Sequence, residues 1–378
     1  MNIVVDENIS YAEEAFSRFG NVSALHGRKI NNEVLRKADV LIVRSITRVD
    51  ESLLDGSSVQ FVGTATIGTD HVDLEYLKSA GIGFSDAKGC NADAVTEYVF
   101  TAIIDLLSEK NVPLKGRTIG IVGAGNIGGR VARIAETIGM QVLKNDPPLE
   151  RMYGSKDYVP LDEIYGCDMV TFHVPLNKTG PDKTVHLMNG ENLKKLKDNV
   201  ILINASRGQV VDNKALIEVI GSKDLRTVLD VWENEPGIDT ALLERVKTGT
   251  PHIAGYSLEG KVNGTAIIYN ALCRFLGEEP VWKPTLPVIK TDCFKINPSG
   301  NSVHDLNTLT GLIYDIKKDD SSLRKITEIP KAQIPKYFDT LRKEYPLRRE
   351  FSNFKIELNR DNEELTGILK ALRFATRD

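Results

Sequence analysis

Short apolar runs alternate with stretches of helical periodicity along most of the chain, the pattern of strands joined by crossover helices. Over the first ninety residues the apolar runs are residues 3–5, the stretch ADVLIVRS that ends at Arg44 and Ser45, and VQFVGT around Phe61 and Val62. A helix is predicted over residues 11–19. These runs are brief and bounded by turn residues, so they predict a small α/β unit with Arg44, Ser45, Thr64, Thr66 and Gly68 beyond its strand ends. Residues 91–108, NADAVTEYVFTAIIDLLS, are apolar almost all round behind an Asn/Asp start, which predicts a long buried helix. The alternation then continues. TIGIVGAG, DMVTFHVPL, NVILINASRG and TVLDVWENEP read as strands with their loops, and ENLKKLKD and NKALIEVIG read as helices, so a doubly wound parallel sheet is expected. A second long helix over residues 258–276 lets the chain return to the first unit. The expected domains are therefore 1–93 with 256–290, a discontinuous unit, and 94–255.

Beyond the linker VWKPTLPVIK the alternation is expected to stop. Leu306, Leu309, Leu312, Ile313 and Ile316 fall on one helical face, a second helix fits residues 332–345, FKIEL reads as a strand and residues 363–374 as a helix. Residues 291–378 are thus expected to form a small α+β domain. It contains LRKEYPLRRE, whose Arg342, Lys343, Arg348 and Arg349 form either a solvated face or a contact for a phosphate or a second subunit.

Composition narrows the class. The 378 residues hold 48 basic and 52 acidic side chains, a net charge of −4, which gives no global attraction to nucleic acid or a membrane surface. Cys90, Cys167, Cys273 and Cys293 are far apart without metal-ligand spacing, so they are expected to be reduced packing residues, with no metal site. The start MNIVVDENIS reads as a strand instead of a leader, and no run of about eighteen apolar residues occurs, so a soluble, cytoplasmic protein is expected.

Candidate chemistry begins at VGAGNIGG. Gly123 permits a tight turn, Gly125 lets a backbone approach a pyrophosphate, and Gly128 allows close helix–strand packing, with the anion on the helix N-terminus. Asp146 follows the next apolar run, where an acid accepts from ribose hydroxyls and repels a 2′-phosphate. NAD is therefore the expected cofactor. Arg207 in INASRG, Glu235 in VWENEP and His252 in TPHIAGYS each have an ordinary structural reading alone. Together they supply a planar grip for a carboxylate, a base for a hydroxyl proton and a carboxylate to orient that base.

The stretches VGAGNIGGRVA, FHVPLNKTGPDKTVHL, LINASRGQVVD, LDVWENEP and TPHIAGYS, in that order, resemble the D-isomer-specific 2-hydroxyacid dehydrogenase family over roughly residues 1–285. The resemblance implies a Rossmann NAD domain and a flavodoxin-like substrate domain. It implies Arg207 as carboxylate anchor, His252 as acid/base and Glu235 as its partner. It also implies a cofactor site that includes Asn126, Ile127, His173, Val174, Gly255 and Asp230, the last near the nicotinamide carboxamide, with His186 structural. The start MNIVVDENI, the loop VRSITRVD, GTATIGTDH and the tail LIYDIKKDDSSLRK with YPLRREFS look like a branch acting on a four-carbon phosphorylated hydroxy acid. They imply substrate contacts at Ser45, Thr66 and Tyr256 and a homodimer formed through the C-terminal domain. Charge and position suggest Arg44, and Arg348 from a partner subunit, for the phosphate. A dehydrogenase for 3-phosphoglycerate or another small 2-hydroxy acid, and a non-catalytic NAD-sensing co-repressor, remain the alternatives.

Overall fold

The computed structural model describes residues 1–154 and 156–376. Contacts divide the chain into two compact units, Met1–Asn91 with Ser257–Val288, and Ala92–Tyr256 with Ile289–Asp378.

The first unit is built on five parallel strands, β1 (Asn2–Asp6), β2 (Asn21–Leu25), β3 (Val40–Val43), β4 (Phe61–Thr64) and β5 (Gly83–Asp86), in the order β2-β1-β3-β4-β5. That is the flavodoxin-like order, with its ligand crevice beyond the carboxyl ends where the winding reverses at β1 and β3. Every residue of β3 is buried, so VLIV carries an unbroken apolar run. Strand β2 lies at the sheet edge and is mostly exposed, which explains why NVSAL carries no hydrophobic signal. The helix Leu258–Leu276 starts at Ser257, whose hydroxyl accepts from the Gly260 amide at 2.8 Å. It packs Ile268, Tyr269 and Leu272 into a core with Ile3, Val5, Val40, Ile42 and Phe61.

In the second unit β6 (Thr118–Val122), β7 (Gln141–Asn145), β8 (Met169–Phe172), β9 (Ile201–Asn204), β10 (Arg226–Leu229) and β11 (Thr248–Gly249) are parallel in the order β11-β10-β9-β8-β6-β7. A bridge between Lys144 and Tyr158 extends this sheet past β7. The winding therefore reverses at β6 and β8, which fixes the crevice of a Rossmann sheet. Side chains alternate between its faces. Ile119, Ile121, Met169, Ile201, Ile203 and Val228 join one core with the helices Ala92–Ser108 and Gly128–Thr137, while Val170, Phe172, Leu202 and Leu229 join the other with Leu216, Val219 and Leu242.

The C-terminal segment lies in this second unit. It adds the parallel strands β12 (Cys293–Ile296), β13 (Lys355–Leu358) and β14 (Ala375–Thr376), so alternation resumes after the linker instead of stopping. Its helix Ser302–Ile313 sends Val303, Leu306 and Leu309 into the core of helix Ala92–Ser108, and Phe338 of helix Ile334–Lys343 enters the opposite core. The expected single stripe through Ile316 is broken: the helix ends at Ile313, Leu312 is 64% exposed, and Ile316 opens the next helix, Ile316–Arg324. Cys90, Cys167 and Cys273 are buried, whereas Cys293 is exposed in β12, so only three of the four cysteines fit the expected packing role. Among the described residues no helix is long and apolar enough to cross a membrane.

Candidate active site

The glycine loop follows β6. Gly123 has φ 89°, and a Cβ there would lie 2.7 Å from the His173 carbonyl oxygen; a Cβ at Gly128 would lie 1.9 Å from the Gly123 carbonyl oxygen. Both positions therefore exclude any side chain. Gly125 faces open space and, with Asn126, is exposed just ahead of helix Gly128–Thr137, leaving backbone amides for an anion; Ile127 is the residue before that helix. The Asp146 carboxylate accepts from the Ala124 amide at 2.8 Å and the Leu149 amide at 3.1 Å, and so ties the glycine loop to the end of β7 while staying partly exposed. After β8, the His173 amide donates to the Val122 carbonyl at 2.7 Å. Burial pushes its imidazole down to about 3, so the ring is neutral. Its Nε2 lies 3.1 Å from the Thr171 hydroxyl, and its buried Nδ1 has no partner. The following residue, Val174, abuts Gly123. An open anion cradle, an acid at the neighbouring strand end and an orphaned ring nitrogen beside the loop together fit a dinucleotide held by Gly123, Gly125, Asn126, Asp146 and His173.

The other strand ends carry the reactive groups. His252 Nδ1 and Glu235 Oε2 are 2.7 Å apart. Burial acts to raise the Glu235 carboxyl, but the His252 charge and hydrogen bond, with the Trp232 amide at 2.8 Å, outweigh it and hold the carboxyl below its ordinary value. An ionised carboxylate only accepts, so Nδ1 donates in this hydrogen bond and Nε2 is the ring nitrogen left for another partner. The His252 side chain is 33% exposed against 19% for Glu235, which places the histidine outside and its partner behind. His252 adopts φ 57°, a left-handed backbone costly for a histidine. Asp230 holds that turn. Its backbone oxygen accepts from His252 N at 2.7 Å, and its carboxylate accepts from Ile253 N at 2.7 Å, Ala254 N at 3.0 Å and the Thr250 hydroxyl at 2.6 Å. Burial raises the Asp230 carboxyl against those bonds and the His252 charge. Its part in bracing the histidine loop has no sequence signal beyond the apolar run ahead of it.

Arg207 follows β9, partly exposed, in a turn made by Asn204. The Asn204 amide donates to the Arg207 carbonyl at 2.9 Å and its oxygen accepts from the Ser206 hydroxyl at 2.9 Å. The Arg207 guanidinium donates to the Ser206 carbonyl at 2.7 Å. A Cβ on Gly208 would fall 2.0 Å from the Trp232 carbonyl carbon, so the arginine turn sits directly against the chain three residues before Glu235. Trp232 is fully buried and donates from Nε1 to the Thr250 carbonyl at 3.0 Å, linking the glutamate and histidine loops. His186 is a latch: its Nε2 lies 2.6 Å from Glu233 Oε1.

Gly255 and Tyr256 are partly exposed, three and four residues beyond His252. In the first unit Arg44 and Ser45 directly follow β3, the former partly exposed and the latter exposed, and Thr66 hydrogen bonds with Thr64 at 2.7 Å and the Gly68 carbonyl at 3.0 Å. Arg348 departs from expectation. It is 6% exposed, donates to the Ala94 and Ala254 carbonyls at 2.9 and 2.7 Å, and lies 4.4 Å from the Tyr314 ring centre. A guanidinium so enclosed in its own chain braces the loop after His252 and does not reach a substrate in a partner subunit.

Comparison with known proteins agrees with this architecture. Residues 104–254 match the model of the D-isomer specific 2-hydroxyacid dehydrogenase NAD-binding domain, and residues 285–372 match a domain of unknown function. An erythronate-4-phosphate dehydrogenase of Photorhabdus laumondii is 46% identical over 381 residues, covering 100% of this chain and 99% of the relative. One from Salmonella paratyphi A is 47% identical over 378 residues, covering 99% and 98%. The crystal structure of NAD⁺-bound 3-phosphoglycerate dehydrogenase from Entamoeba histolytica superposes with a TM-score of 0.63 at 25% identity, covering 73% of this chain and 95% of that one. The chain belongs to the erythronate-4-phosphate dehydrogenases within the D-isomer-specific 2-hydroxyacid dehydrogenase family, and its cofactor is NAD.

Proposed function

We propose that the chain oxidises 4-phospho-D-erythronate at its C2 hydroxyl to (3R)-3-hydroxy-2-oxo-4-phosphobutanoate, an NAD-dependent step of vitamin B6 biosynthesis. The observation that carries this is the near-full-length match, at 46–47% identity, to relatives bearing that enzyme's name. The hydrogen-bonded Glu235–His252 pair supports it. Arg207 grips the substrate carboxylate in a planar two-point contact. His252 Nε2 takes the C2 hydroxyl proton, and Glu235 stabilises the imidazolium that results. Bound NAD supplies the hydride acceptor. Asp230 keeps the histidine turn in place and, with Gly255, borders the nicotinamide; Ser45, Thr66 and Tyr256 contact substrate, and Arg44 offers it a positive charge. The enzyme works in the cytoplasm as a homodimer joined through its C-terminal segment, a state that sedimentation equilibrium measures.

The test is NADH formation by the purified protein with 4-phospho-D-erythronate, 3-phosphoglycerate and D-lactate in parallel. Preference for the first is expected. Preference for either of the others selects a different 2-hydroxy acid, and inactivity on all three favours an NAD-sensing binding protein.

A further inference from the structure

The helix Ile334–Lys343 turns Ile334 and Phe338 into the core of the second unit, and Pro335 Cγ lies 4.0 Å from where a Gly237 Cβ would stand, beside the loop that carries Glu235. Arg342 is four residues beyond Phe338 and therefore on the same inward stripe. An arginine at the end of an apolar stripe is costly unless an anion answers it. Its guanidinium carbon lies 5.8 Å from the Tyr256 ring centre, and its charge is coupled to the Tyr256 hydroxyl and the Glu235 carboxylate. Tyr345, from the same segment, also meets Tyr256, with ring centres 5.9 Å apart at 84°. Among the described residues Arg342 makes no ion pair within 4.0 Å, and its Nε is out of water with no hydrogen-bond partner. Arg348 has two such buried donors, Nε and Nη1, but is 6% exposed, whereas Arg342 is partly exposed beside the tyrosine that the family resemblance assigns to substrate. Arg342 also lies in residues 285–372, outside the stretch matched by the dehydrogenase NAD-binding model at 104–254.

We propose that Arg342 is a specificity-determining residue that receives the substrate's phosphate, so that the C-terminal segment completes the site within its own chain. A phosphate monoester carries close to two negative charges and three acceptor oxygens, which suits a forked guanidinium on a partly exposed side chain. This assignment rests on the activity proposed above, because only a phosphorylated 2-hydroxy acid gives the arginine its ligand. It replaces Arg348, six residues on, whose guanidinium is enclosed.

The experiment compares wild type, R342K and R342Q on 4-phospho-D-erythronate and on D-erythronate, with NAD affinity and thermal unfolding measured for each protein. Truncating a hydrogen-bonded charge pair predicts that R342Q loses roughly 10²-fold in kcat/KM on the phosphorylated substrate, mainly through KM. Turnover of D-erythronate and NAD affinity are expected to stay within a few fold, and R342K to recover part of the loss. Competitive inhibition by inorganic phosphate should weaken in R342Q in parallel. Equal losses on both substrates would show that Arg342 serves Tyr256 and Glu235 instead of the phosphate, and no loss would remove it from the site; either overturns the assignment while leaving the activity in place. A wild type that does not oxidise 4-phospho-D-erythronate contradicts the activity itself.

Discussion

His252 keeps a left-handed backbone at φ 57° because Asp230 accepts from three successive amides, those of His252, Ile253 and Ala254. Strain held in this way presents Nε2 while Glu235 fixes the other nitrogen. Removing a general base typically costs about 10²–10⁴ in rate, so His252→Ala should reduce kcat by that order while NAD still binds. Near-normal turnover in the variant would dismiss the role. Arg207→Lys retains the charge but loses the fork. Its kcat/KM should fall roughly tenfold or more, since a hydrogen bond to a charged group is worth about 1.5–3 kcal/mol; unchanged kinetics would contradict the two-point grip. The pairing of Glu235 with His252 was legible because both sit at strand ends in distinctive motifs. The fate of the charge run was not. Arg342 and Arg348 look alike in sequence, and only the helix end between them decides which side chain is enclosed and which stays partly exposed.

At the level of elements, the loops after β9 and β10 are pressed together at Gly208, where an added Cβ would meet the Trp232 carbonyl carbon at 2.0 Å. Gly208→Ala must push these loops apart. It should cost about 1–3 kcal/mol, as overpacking generally does, and should raise KM because Arg207 moves with the turn. Thermal unfolding and steady-state kinetics check both effects, and a neutral substitution would mean that the loops yield freely. Central strands such as β3 and β9 declared themselves as unbroken apolar runs because both faces are covered. The edge strand β2 and the strand β12 did not, since exposed positions need no apolar side chain. The long helix Leu258–Leu276 was legible to its ends, with Ser257 as its first cap and Gly277 in the left-handed conformation as its last.

For the whole molecule, the C-terminal segment is joined to the second unit through buried polar groups as well as shared cores. Burial pushes the Asp319 carboxyl up to about 6, against the opposing Tyr345 hydroxyl and Arg348 charge. A carboxyl raised on folding contributes stability that is fully present below its unfolded value, about 4, and lost as pH rises through the folded one. The unfolding free energy of Asp319→Asn relative to wild type should therefore shift in the variant's favour between about pH 4 and 7. A pH-independent difference would contradict the burial cost. Chemical denaturation at a series of pH values provides the measurement. The most direct test of the chemistry uses 4-phospho-D-erythronate deuterated at C2, with the reduced cofactor analysed by proton NMR. One deuterium delivered to the nicotinamide ring per molecule of 2-oxo product is predicted. Reduced cofactor without deuterium, or none formed, would contradict hydride removal from that carbon.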